Sequence, residues 1–175
     1  PDILNKFEEK EKISAVFGSR MLKKGSALKG GMPLYKFVGN KILTFAQNLL
    51  LDVKLSEFHS GYRAYRVESL KKIFFQKNSD GYSFDTEIII QLILNKLKIK
   101  EISIPTFYGD EISYVNGFKY AAQIMIETLK AYLSRKKIAS IKKFKIADSQ
   151  NDLELKNYNY EFKKIIEKSK FFKIN

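Results

Sequence analysis

The stretch FHSGYRAY, Phe58 to Tyr65, gathers the only histidine of the chain, a glycine, an arginine and three aromatic rings. Strand periodicity would put His59, Gly61, Arg63 and Tyr65 on one face. Gly61 permits a close approach by backbone or ligand. Arg63 offers a planar fork that matches phosphate or carboxylate. The stretch therefore reads either as an aromatic core strand or as one wall of a site, and its neighbours decide between the two.

Upstream, Pro1 to Lys12 reads as a short helix with Leu4 and Phe7 on one face, and Ile13 to Phe17 as a strand ending at Gly18. The loop GSRMLKKGSALKGGMP, residues 18–33, holds four glycines, four basic residues and no acid. Leu34 to Leu51 carries Leu34, Val38, Ile42, Phe45 and Leu49 in helical register, which predicts a helix with that stripe against a core. Downstream, a helix is predicted through Leu70 to Phe75, and Asp80-Gly81 is a turn signal. A further helix follows over Phe84 to Leu97, with Phe84, Ile88 and Leu92 inward and Glu87 and Gln91 on another face. Ile99 to Ile104 alternates like a strand and stops at Pro105. Asn116 to Lys136 is the longest helix, with a stripe of Phe118, Ala121, Ala122, Met125, Leu129, Tyr132 and Leu133. A linker is expected near 139–157 and a weak helix at Tyr160 to Phe171.

Helices alternating with a few isolated strands make an α/β pattern. The strands are too few for a complete sheet, so the sequence reads as part of a domain. Its 175 residues and 45% hydrophobic content suffice for a core. No cysteine is present, which excludes disulfides and thiolate metal sites. No apolar run is long enough to span a bilayer; the best, Leu34 to Leu51, is broken by Lys36, Asn40, Lys41, Gln47 and Asn48. The net charge of +13 favours phosphate-bearing partners. Nearly half of it, +6, lies in residues 136–175, so the charge by itself says little about the rest.

Four constellations can carry chemistry. Loop 18–33 could cradle an anion with glycine amides and with Arg20, Lys23, Lys24 and Lys29, although it lacks P-loop spacing. In FHSGYRAY, His59 is a packed histidine or, less often, a metal ligand. In YSFDTEI, Asp85 reads as a helix N-cap, and Glu87 could reach a cleft. IPTFYGDEIS, Ile104 to Ser113, reads as a structured loop or the edge of a cleft.

In this order, GSR, GGMP, SGYRAY, YSFDTEI and EISIPTFYGDEIS resemble the C-terminal half of family 2 glycosyltransferases. The closest look is to dolichol-phosphate and polyprenyl-phosphate sugar synthases and their bacterial relatives, over about residues 1–135. The resemblance implies a partial GT-A, Rossmann-like domain at 1–138 that lacks its N-terminal nucleotide-binding strands. A C-terminal amphipathic helix would follow, then 139–175 as a linker and weakly structured basic tail or the start of another domain. It implies inverting transfer from a nucleotide-diphosphate sugar to a polyprenyl phosphate or a cell-envelope glycan, with Mg²⁺ or Mn²⁺. The metal would sit on an Asp-x-Asp expected upstream, so a truncated enzyme, inactive alone, is implied. By motif, Arg20, Lys23, Lys24, Lys29 and Arg63 would meet donor or acceptor phosphates, and His59, Ser60, Gly61 and Tyr62 would line the acceptor cleft. Glu57, Asp85 and Glu87 are the candidate catalytic carboxylates. Glu57 stands where many relatives carry Asp, which lengthens its reach.

A sugar hydroxyl acceptor needs a carboxylate base, whereas a polyprenyl phosphate needs cations. Cations outnumber clear bases here, which favours the lipid phosphate. The expected setting is cytoplasmic and peripheral at the inner face of the membrane, with the 116–136 helix able to lie on an anionic bilayer. Two rival readings lack catalysis: a basic nucleic-acid module, disfavoured because its aromatics follow no RNA-binding pattern, and a membrane-surface module.

Overall fold

The computed structural model describes residues 2–9, 11–108, 116–146 and 153–168. Among these the chain forms a mixed α/β unit around a three-stranded sheet of order β2-β1-β3. The central strand β1 (Ala15–Ser19) pairs antiparallel with β2 (Arg63–Tyr65) and parallel with β3 (Ile99–Ser103). All five β1 residues are buried, as a strand covered on both faces requires. The strand lies two residues later than periodicity suggests, because Gly18 and Ser19 still pair with Ile102 and Ser103. Of FHSGYRAY only Arg63 to Tyr65 is strand; Phe58 to Tyr62 runs irregularly into it.

One face of β1 presents Ala15 and Phe17 to the main core, with Leu51, Phe58, Ile73, the apolar residues of α5 (Phe84–Leu94) and Phe144. The other presents Val16, which meets Ile13, Ile3 and Phe7. Ile3 belongs to α1 (Asp2–Asn5), and Lys6–Glu8 continues it as a 3-10 turn. The inward pair is thus Ile3 and Phe7; Leu4 faces solvent. Short helices α2 (Ser26–Lys29) and α4 (Val67–Leu70) interrupt the loops, and a 3-10 turn at Phe75–Lys77 replaces the end of the expected 70–75 helix.

Helix α5 stops at Leu94, since Asn95 caps it and Lys96 takes positive φ. It is buried nearly all round: Glu87 and Gln91 are as inaccessible as Ile89, whereas Phe84 is partly exposed. Burial of the two polar groups is tolerable because the Glu87 carboxylate and the Gln91 amide nitrogen are paired, although Gln91 Oε1 has no partner among the described residues. Glu87 accepts from Ser79 and Ser83, and Gln91 donates to Asn78 and to the Phe74 carbonyl.

The long helices α3 (Leu34–Leu51) and α6 (Gly117–Arg135) pack on each other. Asn116 caps α6, its side chain accepting from Lys119 N–H. Helix α3 has the expected bounds and the opposite facing. Leu34, Val38, Ile42, Phe45 and Leu49 are between 44% and 70% exposed, while Thr44, Gln47 and Leu51 are buried. In α6 the buried positions are Ile124, Glu127, Thr128 and Ala131, and Phe118 and Leu129 point outward. The seam between the helices is polar and small, with Gln47 Nε2 at 3.5 Å from Thr128 Oγ1.

Within residues 139–146, read from composition as linker, Phe144 and Lys143 are packed while Ser140, Lys142, Lys145 and Ile146 are exposed. Phe144 enters the main core, and Lys143 reaches Glu87 at 3.2 Å and Glu127 at 2.7 Å. Helix α7 (Leu153–Lys168) begins earlier than predicted, with Leu155 buried and Asn159 donating to the Lys71 carbonyl. The expectations on Gly109 to Ser113, on 147–152 and on Phe171 lie outside the described residues.

Candidate functional site

The site is built at the C-terminal end of β1. Asn48, near the end of α3, clamps Leu55 through both backbone groups, at 2.8 and 2.9 Å. Ser56 then binds Glu101 of β3 with its N–H and hydroxyl, and lies 2.6 Å from the Ser19 hydroxyl. These bonds fix Glu57, whose side chain is fully buried. Its carboxylate accepts from Arg20 N–H at 2.7 Å, from Arg20 Nε at 2.9 Å, from Arg20 Nη2, and from Asn40 at 2.8 Å. Arg20 also donates to the Tyr108 hydroxyl and to the His59 carbonyl, each at 3.1 Å. Burial alone would lower the pKa of Arg20; the bond to Glu57 and its charge reverse this and raise it.

Tyr108 is delivered by the segment after β3, which docks on the glycine pair: Tyr108 N–H donates to the Gly30 carbonyl at 3.0 Å. A side chain at Gly30 would lie 2.1 Å from the Thr106 carbonyl oxygen, so only glycine fits.

His59 faces α6, with Nδ1 2.9 Å from the Tyr120 hydroxyl and the rings edge to face. Its Nε2 is buried without a partner among the described residues. Burial, reinforced by Arg63 and Arg20 against the pull of Glu57, lowers its pKa to about 4, so the ring is neutral near pH 7. Arg63, almost fully buried, donates to the Phe58 carbonyl at 2.6 Å, lies over the Phe17 ring and faces Asp85 at 3.3 Å.

A cavity of about 720 Å³ opens above these groups. Arg20, His59, Lys36 and Asn40 supply its polar lining. Its walls are the facing sides of α3 and α6, with Tyr35, Ile42, Leu43, Phe118 and Ala121. A smaller one, of about 530 Å³, lies beside Asp80, Asp85, Tyr82 and Phe84, and Tyr120 borders both.

Of the sequence-predicted residues, the structure brings Arg20 and His59 into the lining of the larger cavity, with Glu57 buried behind Arg20. Arg63 and Asp85 pair beside it. Glu87 lies elsewhere, buried against Ser79, Ser83 and Lys143. Lys23, Lys24 and Lys29 are exposed and outside the cavity lining. Ser60 is buried and accepts from Tyr62 N–H; Gly61 and Tyr62 are exposed. Sequence reasoning missed Lys36, Asn40 and Tyr120, whereas Tyr108 lies in the segment read as a structured loop or the edge of a cleft and does line the cavity. The i, i+4 spacing of Lys36, Asn40 and Thr44, continued by Gln47, was a visible signal of a polar inner face.

Among the described residues no three His, Asp or Glu side chains gather as a metal site. Glu57 is engaged by Arg20 and Asn40, and the nearest imidazole is bonded to Tyr120. This donor set does not fit Mg²⁺ or Mn²⁺.

No protein-family model matches the chain, and no solved structure does. Curated relatives do. An uncharacterised protein of Methanocaldococcus jannaschii is 33% identical over 124 residues, 68% of this chain and 50% of that protein. A UDP-N-acetylglucosamine–dolichyl-phosphate N-acetylglucosaminyltransferase of Methanococcus voltae is 38% identical over 95 residues, 54% of this chain and 37% of the relative. A low-salt glycan biosynthesis hexosyltransferase of Haloferax volcanii is 32% identical over 102 residues, 58% of this chain and 24% of the relative. The chain thus spans half or less of the length of these relatives. Over somewhat more than half its own length it is similar to two named glycosyltransferases.

Proposed function

We propose that the chain forms the acceptor side of an inverting, family 2-type glycosyltransferase with a GT-A fold, and that its acceptor is a polyprenyl phosphate. The observation that carries this reading is the make-up of the larger cavity. Arg20 and Lys36 supply positive charge, and two helices supply apolar walls. An amphiphile with a phosphate head and a hydrocarbon body matches both parts.

In the reaction, a phosphate oxygen of the acceptor attacks the anomeric carbon of a nucleotide-diphosphate sugar. The bond from that carbon to the diphosphate oxygen breaks, and the nucleoside diphosphate leaves with the electron pair. The nucleophile is already anionic and needs no general base. This suits a site whose buried carboxylate, Glu57, is engaged by Arg20 rather than open to the cavity. The resemblance to the Methanococcus voltae transferase, named for dolichyl phosphate, supports the acceptor class. Mg²⁺ or Mn²⁺ belongs to the donor side of this reading, where it would neutralise charge on the leaving diphosphate.

Calorimetric titration with farnesyl phosphate, farnesol and inorganic phosphate tests the acceptor. Farnesyl phosphate should bind well above either half-ligand, and Arg20→Ala should abolish the difference from farnesol. Equal binding of farnesol and farnesyl phosphate by the unaltered chain would refute the lipid-phosphate assignment.

A further inference from the structure

Tyr108 is where the segment after β3 meets the glycine-rich loop and the start of α3. Its N–H donates to the Gly30 carbonyl at 3.0 Å. Gly31 holds a φ of +82°, and a Cβ built on it would lie 3.3 Å from the Tyr108 carbonyl oxygen, so the glycine pair is what admits this residue. The side chain packs on the small cluster of Met21, Ala27 and Met32, and it lines the larger cavity.

Two cations of that cavity meet on this one side chain. Arg20 Nη1 donates to the hydroxyl at 3.1 Å. Lys36 Nζ lies over the ring, 5.2 Å from its centre, as a cation on the negative face of an aromatic does. A phenol hydroxyl both accepts and donates, whereas guanidinium and ammonium groups only donate. Here the oxygen accepts from Arg20, and among the described residues the hydroxyl proton has no acceptor. Arg20, Lys36 and the Tyr108 hydroxyl therefore form a corner made of donors alone. The group that completes it is acceptor-only, which describes the oxygens of an anion. The other tyrosines of the cavity do not repeat this arrangement. Tyr120 is bonded to His59, and Tyr35 and Tyr82 are exposed.

We propose that Tyr108 is a further anion-binding residue of the larger cavity: its hydroxyl donates to a phosphate oxygen beside Arg20 Nη1, and its ring holds Lys36 at a second oxygen of the same phosphate. The proposal rests on the function proposed above and names a third donor for the acceptor's head. It also gives the segment from Ile104 to Tyr108 a task. Docking on Gly30 delivers a neutral donor between two cations, which adds a bond to the anion without adding charge.

Calorimetry with inorganic phosphate, farnesyl phosphate and farnesol reads the assignment. Tyr108→Phe keeps the ring, the backbone bond to Gly30 and the Lys36 contact, and deletes only the hydroxyl. It should weaken both phosphates alike, by roughly ten-fold, and leave farnesol binding and the melting temperature nearly unchanged. Tyr108→Leu removes the ring face as well. In that background Lys36→Ala should cost less phosphate affinity than it does in the unaltered chain, a coupling that a purely structural tyrosine would not show. Phosphate affinity untouched in Tyr108→Phe, or an equal loss for farnesol, would overturn the proposal even with lipid-phosphate binding intact. Phosphate binding that depends on Tyr108 but gains nothing from the farnesyl chain would keep the donor and remove the lipid acceptor. Absence of binding of either phosphate by the unaltered chain would overturn both.

Discussion

Glu57 and Arg20 form a buried clamp in which one carboxylate takes the backbone N–H, Nε and Nη2 of the same arginine. The clamp aims the arginine. Three of its side-chain bonds, to Glu57 and the His59 carbonyl, hold one edge, and Nη1 is left toward Tyr108 and the cavity. Glu57→Gln keeps the shape but removes the charge that raises the Arg20 pKa. Breaking such a pair leaves a poorly compensated cation, at a cost of roughly 2–4 kcal/mol. Urea denaturation should show that loss at unchanged m-value. A cost below about 0.5 kcal/mol would mean that the pair adds no more than an exposed one.

The glycines of this region separate into two kinds. Gly30→Ala would drive a methyl group into the Thr106 carbonyl. That displaces the segment carrying Tyr108, which is tied to Gly30 and Arg20. Gly30→Ala should therefore lower the melting temperature and weaken farnesyl phosphate binding together. Gly39 sits within α3 with nothing near a built Cβ. Gly39→Ala should stabilise by about 0.5–1 kcal/mol through helix propensity and a stiffer unfolded chain. Thermal unfolding of the two variants reads the contrast, and a stabilised Gly30→Ala would refute the assigned contact.

His59 supplies a pH test. Its folded pKa, about 4, lies below the 6.5 of a free imidazole. The unfolded chain therefore binds the proton more readily between those values. The stability contributed by the neutral ring is complete above pH 6.5 and is lost as pH falls toward 4, by roughly 3 kcal/mol. Proton NMR should show imidazole signals that do not titrate between pH 6 and 8. A midpoint near 6.5 would mean that the ring is solvated. Tyr120→Phe removes the partner that Nδ1 has among the described residues and should cost about 1–2 kcal/mol.

What the sequence disclosed follows from what periodicity encodes. The bounds of α3 were legible, because an apolar repeat and Pro33 define a helix. Its facing was not, because a stripe says that one side is apolar and not what that side meets. The same rule misassigned Phe118 and Leu129 of α6. In α5 the error ran the other way. Glu87 and Gln91 read as a face apart from the apolar stripe, with Glu87 able to reach a cleft, yet Ser79, Ser83, Asn78 and Lys143 pair with them inside, and three-dimensional pairing of that kind leaves no trace in a repeat. Within FHSGYRAY periodicity put His59, Gly61, Arg63 and Tyr65 on one face; in the structure Arg63 instead donates to the Phe58 carbonyl, and the Phe58 and His59 rings lie 6.4 Å apart. Tyr120, the partner of His59, and Tyr108, the partner of Arg20, come from segments that only the fold brings near.

Glu87 carries the remaining prediction. Burial alone would raise its pKa, but the bonds from Ser79 and Ser83 and the charge of Lys143 outweigh burial and lower it below 4.5. A depressed carboxylate adds stability that is present above the unfolded value and lost as pH falls through the folded one. Denaturant midpoints should therefore drop as the solution is acidified below about pH 4.5, and Glu87→Gln should flatten that limb. Lys143→Met should flatten it in part, because the cation is one of the causes that hold the Glu87 pKa down. The same variant should release residues 139–146 from the core, seen as faster hydrogen exchange at Phe144. A limb flattened by Glu87→Gln but unchanged by Lys143→Met would mean that the two serines set the low pKa, with Lys143 a bystander, and a limb unchanged by Glu87→Gln would overturn the lowered pKa itself.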